Sequence, residues 1–506
     1  MSIAHEKDVL KSENLTELLD ELQAFVRDSA QQGTPIHEVE RTVWHEVLRI
    51  GHHCLGHFIA LQGTGDLGET VAVAGQTCHR LDALHRRRYV SIFGGFDLWR
   101  VVYGSREGQK LDFVPLDQRL QLPASAFSYV LQDWDQALCV QQAFAETRST
   151  VARMLELQQS VDSLERMNEQ MAELVSDFRE DRPMPAPETE GDILVLSADG
   201  KGVVMRRAAT DPAPAAHRTK GEKASQKRMA TVGAAYTVDR YLRTPEAVVA
   251  ALFRDAPEPA RDRPRPQHKQ VWASLPRQEV PGSGSAMVFE WLLNEVVERN
   301  PGLHKEMVFI GDGQETLWLA RQQHLPQRHC VDILDLLHVT PRLWQAAHVF
   351  HREKSPGAEQ FVRERVLRVL QGKAAGVVRG LREMATKQGL SGAKKKTLAR
   401  VCQYLEDNLP RMRYDEYLAA GYPIASGVIE GACRHLVKDR MERAGMHWTI
   451  PGAQAMLDVR SVFISGQWEA FQAYRIEREV QRLYPHRHLV AGDTFVSQEP
   501  QYSMSS

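Results

Sequence analysis

The chain has 506 residues and 57.2 kDa, enough for about three or four domains at the usual domain size. Lys+Arg 63 against Asp+Glu 65 gives a net charge of −2, which excludes a wholly basic nucleic-acid coat but not local basic patches. No apolar run approaches the roughly 18 residues of a membrane span, the first residues carry no apolar signal core, and the scattered cysteines form no C-x-x-C pair. A reduced, cytoplasmic protein without a membrane partner is therefore expected.

Residues 1–66 read as helical, with Leu15, Leu18, Leu19, Leu22 and Phe25 on the 3.6-residue period and Val43, Val47 and Ile50 continuing it. Residues 67–120 change character: ETVAVAG, YVSIFGG, FDLWRVVYG and KLDFVPL are short, β-branched and aromatic, and read as a small sheet of hairpins. Residues 121–180 return to helix. Within them, 151–180 read as one long helix whose Met154, Leu157, Val161, Leu164, Asn168, Met171, Val175 and Phe178 alternate spacings of three and four. That seam suits a coiled coil with Asn168 fixing register, or an amphipathic helix packed on its own domain. Residues 137–160 can be read as a helix-turn-helix or as a plain helical hairpin.

Residues 181–192, DRPMPAPETEGD, are a proline-rich acidic linker. After them the texture is α/β, with strands expected at 193–199, 202–206, 228–238, 306–313 and 329–336, and helices at 244–253 and 286–300. The first part of this α/β core spans 193–340. Residues 341–422 read as a helical insertion rich in basic residues, including Lys394, Lys395, Lys396 and Arg400. A second part of the core, 423–480, opens with a helix near Ser426, and 481–506 form a tail.

Three acids stand out by context. Asp199 ends one hydrophobic strand, Asp312 ends another between Gly311 and Gly313, and Glu430 lies in the first turns of a helix. Carboxylates at strand C-terminal ends project from the edge where open α/β sheets bind ligands. Mg²⁺ takes one or two such carboxylates together with phosphate oxygens, and a pair of ions serves phosphoryl transfer. Each acid has a plainer reading: Asp199-Gly200 is also a hairpin-turn signal, GDG can simply end a strand, and Glu430 with Arg434 can be a surface i,i+4 pair.

The stretches LSADGKGVVM, KRMATVGAAY, VFIGDGQETLW, VDILDLLHV and SGVIEGACRHLVKDRMERAGMHW resemble bacterial insertion-sequence DDE transposases of the ISKra type, which are related to Mutator-like transposases. The resemblance covers about 190–470. It implies a ribonuclease-H-like mixed sheet carrying an all-helical insertion. It also implies Asp199, Asp312 and Glu430 as both catalytic triad and metal ligands, with two Mg²⁺ or Mn²⁺ ions. Asp335 and His338 match the D-x-x-H motif of related groups, or brace the strand end by bonding each other. Over 88–125 the chain is similar to the family's N-terminal hairpins, which usually carry C-x-x-C pairs resembling a zinc ribbon. Here Gly104 and Glu107 stand where thiols would sit and Cys78 adjoins His79, so the hairpin domain is degenerate and zinc is not expected.

From Lys201 to Ala230 there are eight Lys/Arg against Asp211 and Glu222, a local net of +6 beside Asp199. Lys201, Lys220, Lys223, Lys227 and Arg228 are candidate phosphate contacts, or a solvated charge run. Arg434, Lys438 and Arg440 follow Glu430 on its helix and are candidates for the same role. The expected function is a DNA transposase that cuts element ends and joins them to target DNA. Its partners would be double-stranded terminal repeats, target DNA and its own copies, as a homodimer or higher oligomer. The alternatives are a catalytically inactive, transposase-derived DNA-binding protein and a ribonuclease-H-like nuclease without strand transfer.

Overall fold

In the computed structural model, residues 15–104, 113–206, 227–255, 263–276, 283–443 and 445–490 are described. The chain divides into two units, residues 1–168 with 469–506, and residues 169–468.

The first unit opens with helices α1 (Leu15–Gln32) and α2 (Ile36–Leu61), turned at Gly33 with φ 67°, the left-handed backbone that favours glycine after a helix. Strands β1 (Thr70–Val73), β2 (Gln76–Arg80) and β5 (Tyr103–Gly104) form one antiparallel sheet, and β3 (His85–Ser91) with β4 (Gly94–Arg100) form a hairpin. Of the expected hairpin segments, KLDFVPL contributes only a bridge from Phe113 to Tyr103 before α3 begins at Pro115, and β2 was not expected. Cys78, on β2, lies in an apolar cluster with Val73, Val101, Tyr103 and Phe113. Glu107 lies outside the described residues. Short α3 (Pro115–Leu120) precedes α4 (Tyr129–Cys139) and α5 (Phe144–Leu155).

The expected long helix over 151–180 is three helices: the end of α5, then α6 (Val161–Ala172) and α7 (Val175–Asp181). Glu156, in left-handed backbone with φ 58°, stops α5. Val151 and Leu155 of α5 pack with Leu131 of α4 and Leu48 of α2, and Asn168 donates to Gln136 of α4 at 3.0 Å. Of the seam, Leu164, Asn168, Met171, Val175 and Phe178 are buried within the chain while Met154 is exposed, and the residue read as a register-fixing asparagine is a core hydrogen-bond partner.

In the second unit the expected linker is packed rather than loose. Glu190 is buried between Arg299 at 2.6 Å and Lys305 at 2.7 Å, and Arg182 pairs with buried Glu295. The sheet comprises β6 (Ile193–Val204), β7 (Lys227–Val238), β8 (Gln267–Ser274), β9 (Glu306–Gly311) and β10 (Cys330–Leu334) in the order β10-β9-β6-β7-β8. β6, β9 and β10 are mutually parallel, and β7 runs antiparallel to β6 and β8. The two strands expected at 193–199 and 202–206 are one strand, because β7 pairs with β6 straight through the glycines, Gly200 with Thr231 and Gly202 with Met229. Asp199-Gly200 is therefore no hairpin turn. β8 was not expected, since its polar start, QHKQ, hides its alternation.

Both faces of the sheet are buried, which explains the near-continuous apolar runs. Ile193, Val195, Val308 and Ile310 face one side, and Leu194, Leu196, Met307 and Phe309 the other, with the period of two of a pleated strand. α8 (Pro245–Phe253) starts at Thr244, whose hydroxyl accepts from the Ala247 N–H at 3.1 Å. α9 (Ser283–Arg299) and α10 (Glu315–His324) cover the second face. The first face meets the helical segment α11 (Leu336–Phe350), α12 (Pro356–Leu370), α13 (Ala374–Lys387), α14 (Gly392–Asp407) and α15 (Tyr414–Ala419). The helix at Ser426 is not the last: α16 (Gly427–Ala432), a π-helical segment Cys433–Lys438 and α17 (Asp439–Met441) are followed by α18 (Ile450–Ile464) and a closing helix Trp468–Leu483.

Candidate metal centre

Register builds the centre. Ala198 of β6 pairs with Gly311 of β9, and Gly311 pairs with Leu334 of β10. The next residue on each chain is Asp199, Asp312 and Asp335. Three aspartates therefore stand side by side at the C-terminal edge of three parallel strands, each strand about 4.8 Å from its neighbour. Asp199, expected to end its strand, instead lies within β6 at the point where β6 runs past β9. Asp335, expected only as part of a D-x-x-H motif, is thus a third carboxylate of the row.

Each aspartate is anchored locally. Asp199 Oδ1 accepts from the Gly200 N–H at 2.6 Å and Asp312 Oδ1 from the Gln314 N–H at 2.8 Å, while Trp318 Nε1 donates to the Asp312 carbonyl at 2.7 Å. Asp335 caps α11 by accepting from the Leu337 N–H at 2.8 Å, and its other oxygen accepts from the Ser426 N–H at 3.2 Å. Ser426 caps α16 through the Ile429 N–H at 3.3 Å and meets Ser197 of β6 at 3.1 Å, Oγ to Oγ. These bonds fix the first turn of α16, which carries Glu430, against Ser197 of β6 and the end of β10.

Glu430 is half exposed, with Oε1 3.8 Å from His338 Nε2. Among the described residues, Asp335, His338 and Glu430 are the group whose ligand atoms all lie within 4.8 Å of one another. Asp199 and Asp312 are not in that group, but share the electrostatics of the row. Burial raises Asp312 above the ordinary carboxylate range and the Asp199 charge raises it further, against the Gln314 N–H, His338 and Arg342. Burial pushes Asp335 up to about 6, with Glu430 adding to it and the Leu337 and Ser426 N–H groups and His338 opposing. The Cys433 thiol donates to Asp199 Oδ2 at 3.4 Å, a contact with no sequence signature, and burial followed by the Asp199 charge holds this thiol protonated.

The donor set suits a hard divalent cation. It is rich in carboxylate oxygen and partly buried, and burial raises Asp312 and Asp335, with the Asp199 and Glu430 charges adding to it respectively. A bound cation would favour the ionised form of both.

The expected phosphate contacts fare unevenly. Lys220 and Lys223 lie outside the described residues. Lys227 is paired with Glu442, so its charge is already partly committed within the chain. Lys201 and Arg228 are partly exposed on β6 and β7. Arg434 is exposed, 3.8 Å from Asp439, and Lys438 is exposed. Arg440 is fully buried, with its guanidinium 5.0 Å from the Trp448 ring centre, so it is a core group and not a phosphate contact. The π segment places an extra residue in the turn after Glu430, so the i, i+4, i+8 face expected for Glu430, Arg434 and Lys438 does not run through it.

No family model matches the chain and no curated protein matches it. Among solved structures, the Drosophila P element transposase strand transfer complex is similar at 9% identity over 73% of this chain and 88% of that one, with a TM-score of 0.26. A likeness at that level establishes no shared fold. No helix among the described residues is long and apolar enough to cross a membrane.

Proposed function

We propose that the chain is an insertion-sequence DNA transposase of the DDE kind, similar to the ISKra type, with a ribonuclease-H-like core. The observation that carries the reading is the row Asp199, Asp312 and Asp335 in register across three parallel strands, with the Glu430 helix tied over it by Ser426. The strand order, with an antiparallel extension on one side of β6 and parallel strands on the other, supports the same core.

Asp199, Asp312 and Glu430 would hold two Mg²⁺ or Mn²⁺ ions, which when bound polarise the scissile phosphate and favour a water or 3′-hydroxyl nucleophile. Asp335 has both oxygens committed to backbone N–H groups and positions the α16 start. His338 sits against Glu430 and orients it. Lys201 and Arg228 on the strands, with Arg434 and Lys438 beyond Glu430, would steady the DNA backbone without reading sequence. The substrate is double-stranded DNA, at element ends and at the target, and bringing two ends together calls for a homodimer or higher assembly.

The test is a cleavage and strand-transfer assay on the element's own ends in Mg²⁺. Asp199→Asn, Asp312→Asn and Glu430→Gln should each lower cleavage and joining by orders of magnitude while leaving binding to terminal DNA intact. Normal cleavage by all three variants would end the reading. Cleavage without joining in the wild type would favour a ribonuclease-H-like nuclease instead.

A further inference from the structure

The helical segment 341–422 carries sixteen Lys/Arg against eight Asp/Glu, a net of +8 in a chain whose total is −2. That charge is not spread evenly. Arg363, Arg365, Arg382 and Arg413 are each paired with a carboxylate. Among the described residues, Lys394, Lys395, Lys396 and Arg400 make no ion pair, and all are exposed on the first turns of α14.

The buried face of α14 is Leu398, Val401, Cys402 and Leu405. Lys396, Arg400 and Tyr404 follow one another at i, i+4 and i+8, a stripe of about 12 Å in which Lys396 and Arg400 are exposed and Tyr404 is half-buried at the edge of the core. Its far end is at the metal centre. The Tyr404 ring lies against Gly313, beside Asp312, so closely that a Cβ there would strike it. Arg342, one turn beyond His338 on α11, stacks its guanidinium 4.7 Å from the Tyr404 ring centre and makes no ion pair among the described residues.

We propose that the Lys396–Arg400–Tyr404 stripe of α14, with Arg342 stacked at its end and Lys394 and Lys395 at its start, is a DNA-backbone track leading into the carboxylate row. This rests on the proposed function. The cations at its start neutralise phosphates flanking the cut. Arg342 and Tyr404 are positioning residues that hold the strand beside Asp312.

The experiment uses the full chain and a short DNA duplex of arbitrary sequence, followed by fluorescence anisotropy over a salt series. Combining Lys394→Gln, Lys395→Gln, Lys396→Gln and Arg400→Gln should flatten the slope of log affinity against log salt by up to about 3.6, at roughly 0.9 per lost phosphate contact. Arg400→Cys carrying a photocrosslinker should capture the strand next to the cleaved phosphate. If wild-type protein binds duplex and cuts it in an Asp199- and Asp312-dependent manner, yet the fourfold variant keeps the wild-type slope, the track is wrong and the transposase reading stands. If the stripe's substitutions weaken binding of single-stranded RNA and not of duplex DNA, the track is again wrong. If the wild type binds no DNA at all, both proposals fall.

Discussion

The Asp335 carboxylate accepts the Ser426 backbone N–H at 3.2 Å, joining the end of β10 to the start of the Glu430 helix across the whole helical insertion. Both groups are buried, so the bond is not exchanged for water. Asp335→Asn keeps one acceptor and turns an amide NH₂ toward a backbone N–H. Leaving a buried donor unsatisfied costs about 1–3 kcal/mol. The variant should lose that much stability in chemical denaturation and cleave more slowly, with an unchanged Mg²⁺ dependence. A Mg²⁺ requirement raised tenfold or more would make Asp335 a metal ligand instead.

Gly313 marks where the insertion meets the centre. A methyl group there collides with Tyr404, so Gly313→Ala should push α14 away from Asp312 and reduce cleavage. Tyr404→Leu in the same chain should restore part of the loss, because the shorter side chain vacates the space, whereas Tyr404→Phe should not. A double-mutant cycle on cleavage rate checks this. Additive losses would mean that the two residues do not act through contact.

The heptad seam separates two readings by burial. Leu164 is fully buried and Met154 is 54% exposed, although both occupy seam positions. Leu164→Asp should therefore unfold its surroundings, since an unpaired charge has no place in an apolar interior. Met154→Asp should be tolerated. Circular dichroism and sedimentation velocity distinguish the cases. A folded protein of lower mass after Leu164→Asp would restore the coiled-coil reading.

Much of the second unit was legible because both faces of its sheet are buried. Runs such as ILVLS and MVFIG then stand out as strands, and Asp312 is marked by its glycines. Asp335 was visible as a motif, but not as the third member of a row, because register between strands is not written in either strand alone. β8 was hidden because only its second half is buried. The single helix over 151–180 failed for a different reason: a seam of threes and fours persists across α5, α6 and α7, while the break at Glu156 depends on a left-handed residue that is not glycine. The Cys433–Asp199 contact and the Arg342–Tyr404 stack join distant segments and leave no periodic trace.

Asp135 gives the first unit a pH dependence of its own. It is fully buried on α4, and Gln159 Nε2 donates to its Oδ2 at 2.9 Å. Burial raises its carboxyl from 3.8 to about 7, against the Gln159 hydrogen bond. The folded chain therefore keeps this proton up to neutral pH, whereas the unfolded chain gives it up near 3.8. Unfolding releases a proton throughout that window, so stability falls as pH rises. The contribution is fully present below about 4 and gone above about 7, up to roughly 4 kcal/mol at ~1.4 kcal/mol per pH unit. Asp135→Asn is uncharged at every pH, keeps an acceptor for Gln159, and should remove the dependence. Amide exchange of α4 reads the local stability without assuming that the two units unfold together. Wild-type protection should drop between pH 4.5 and 7.5, and the asparagine variant should be better protected than wild type at pH 8. Parallel pH profiles for the two proteins would show that Asp135 is ionised in the folded chain.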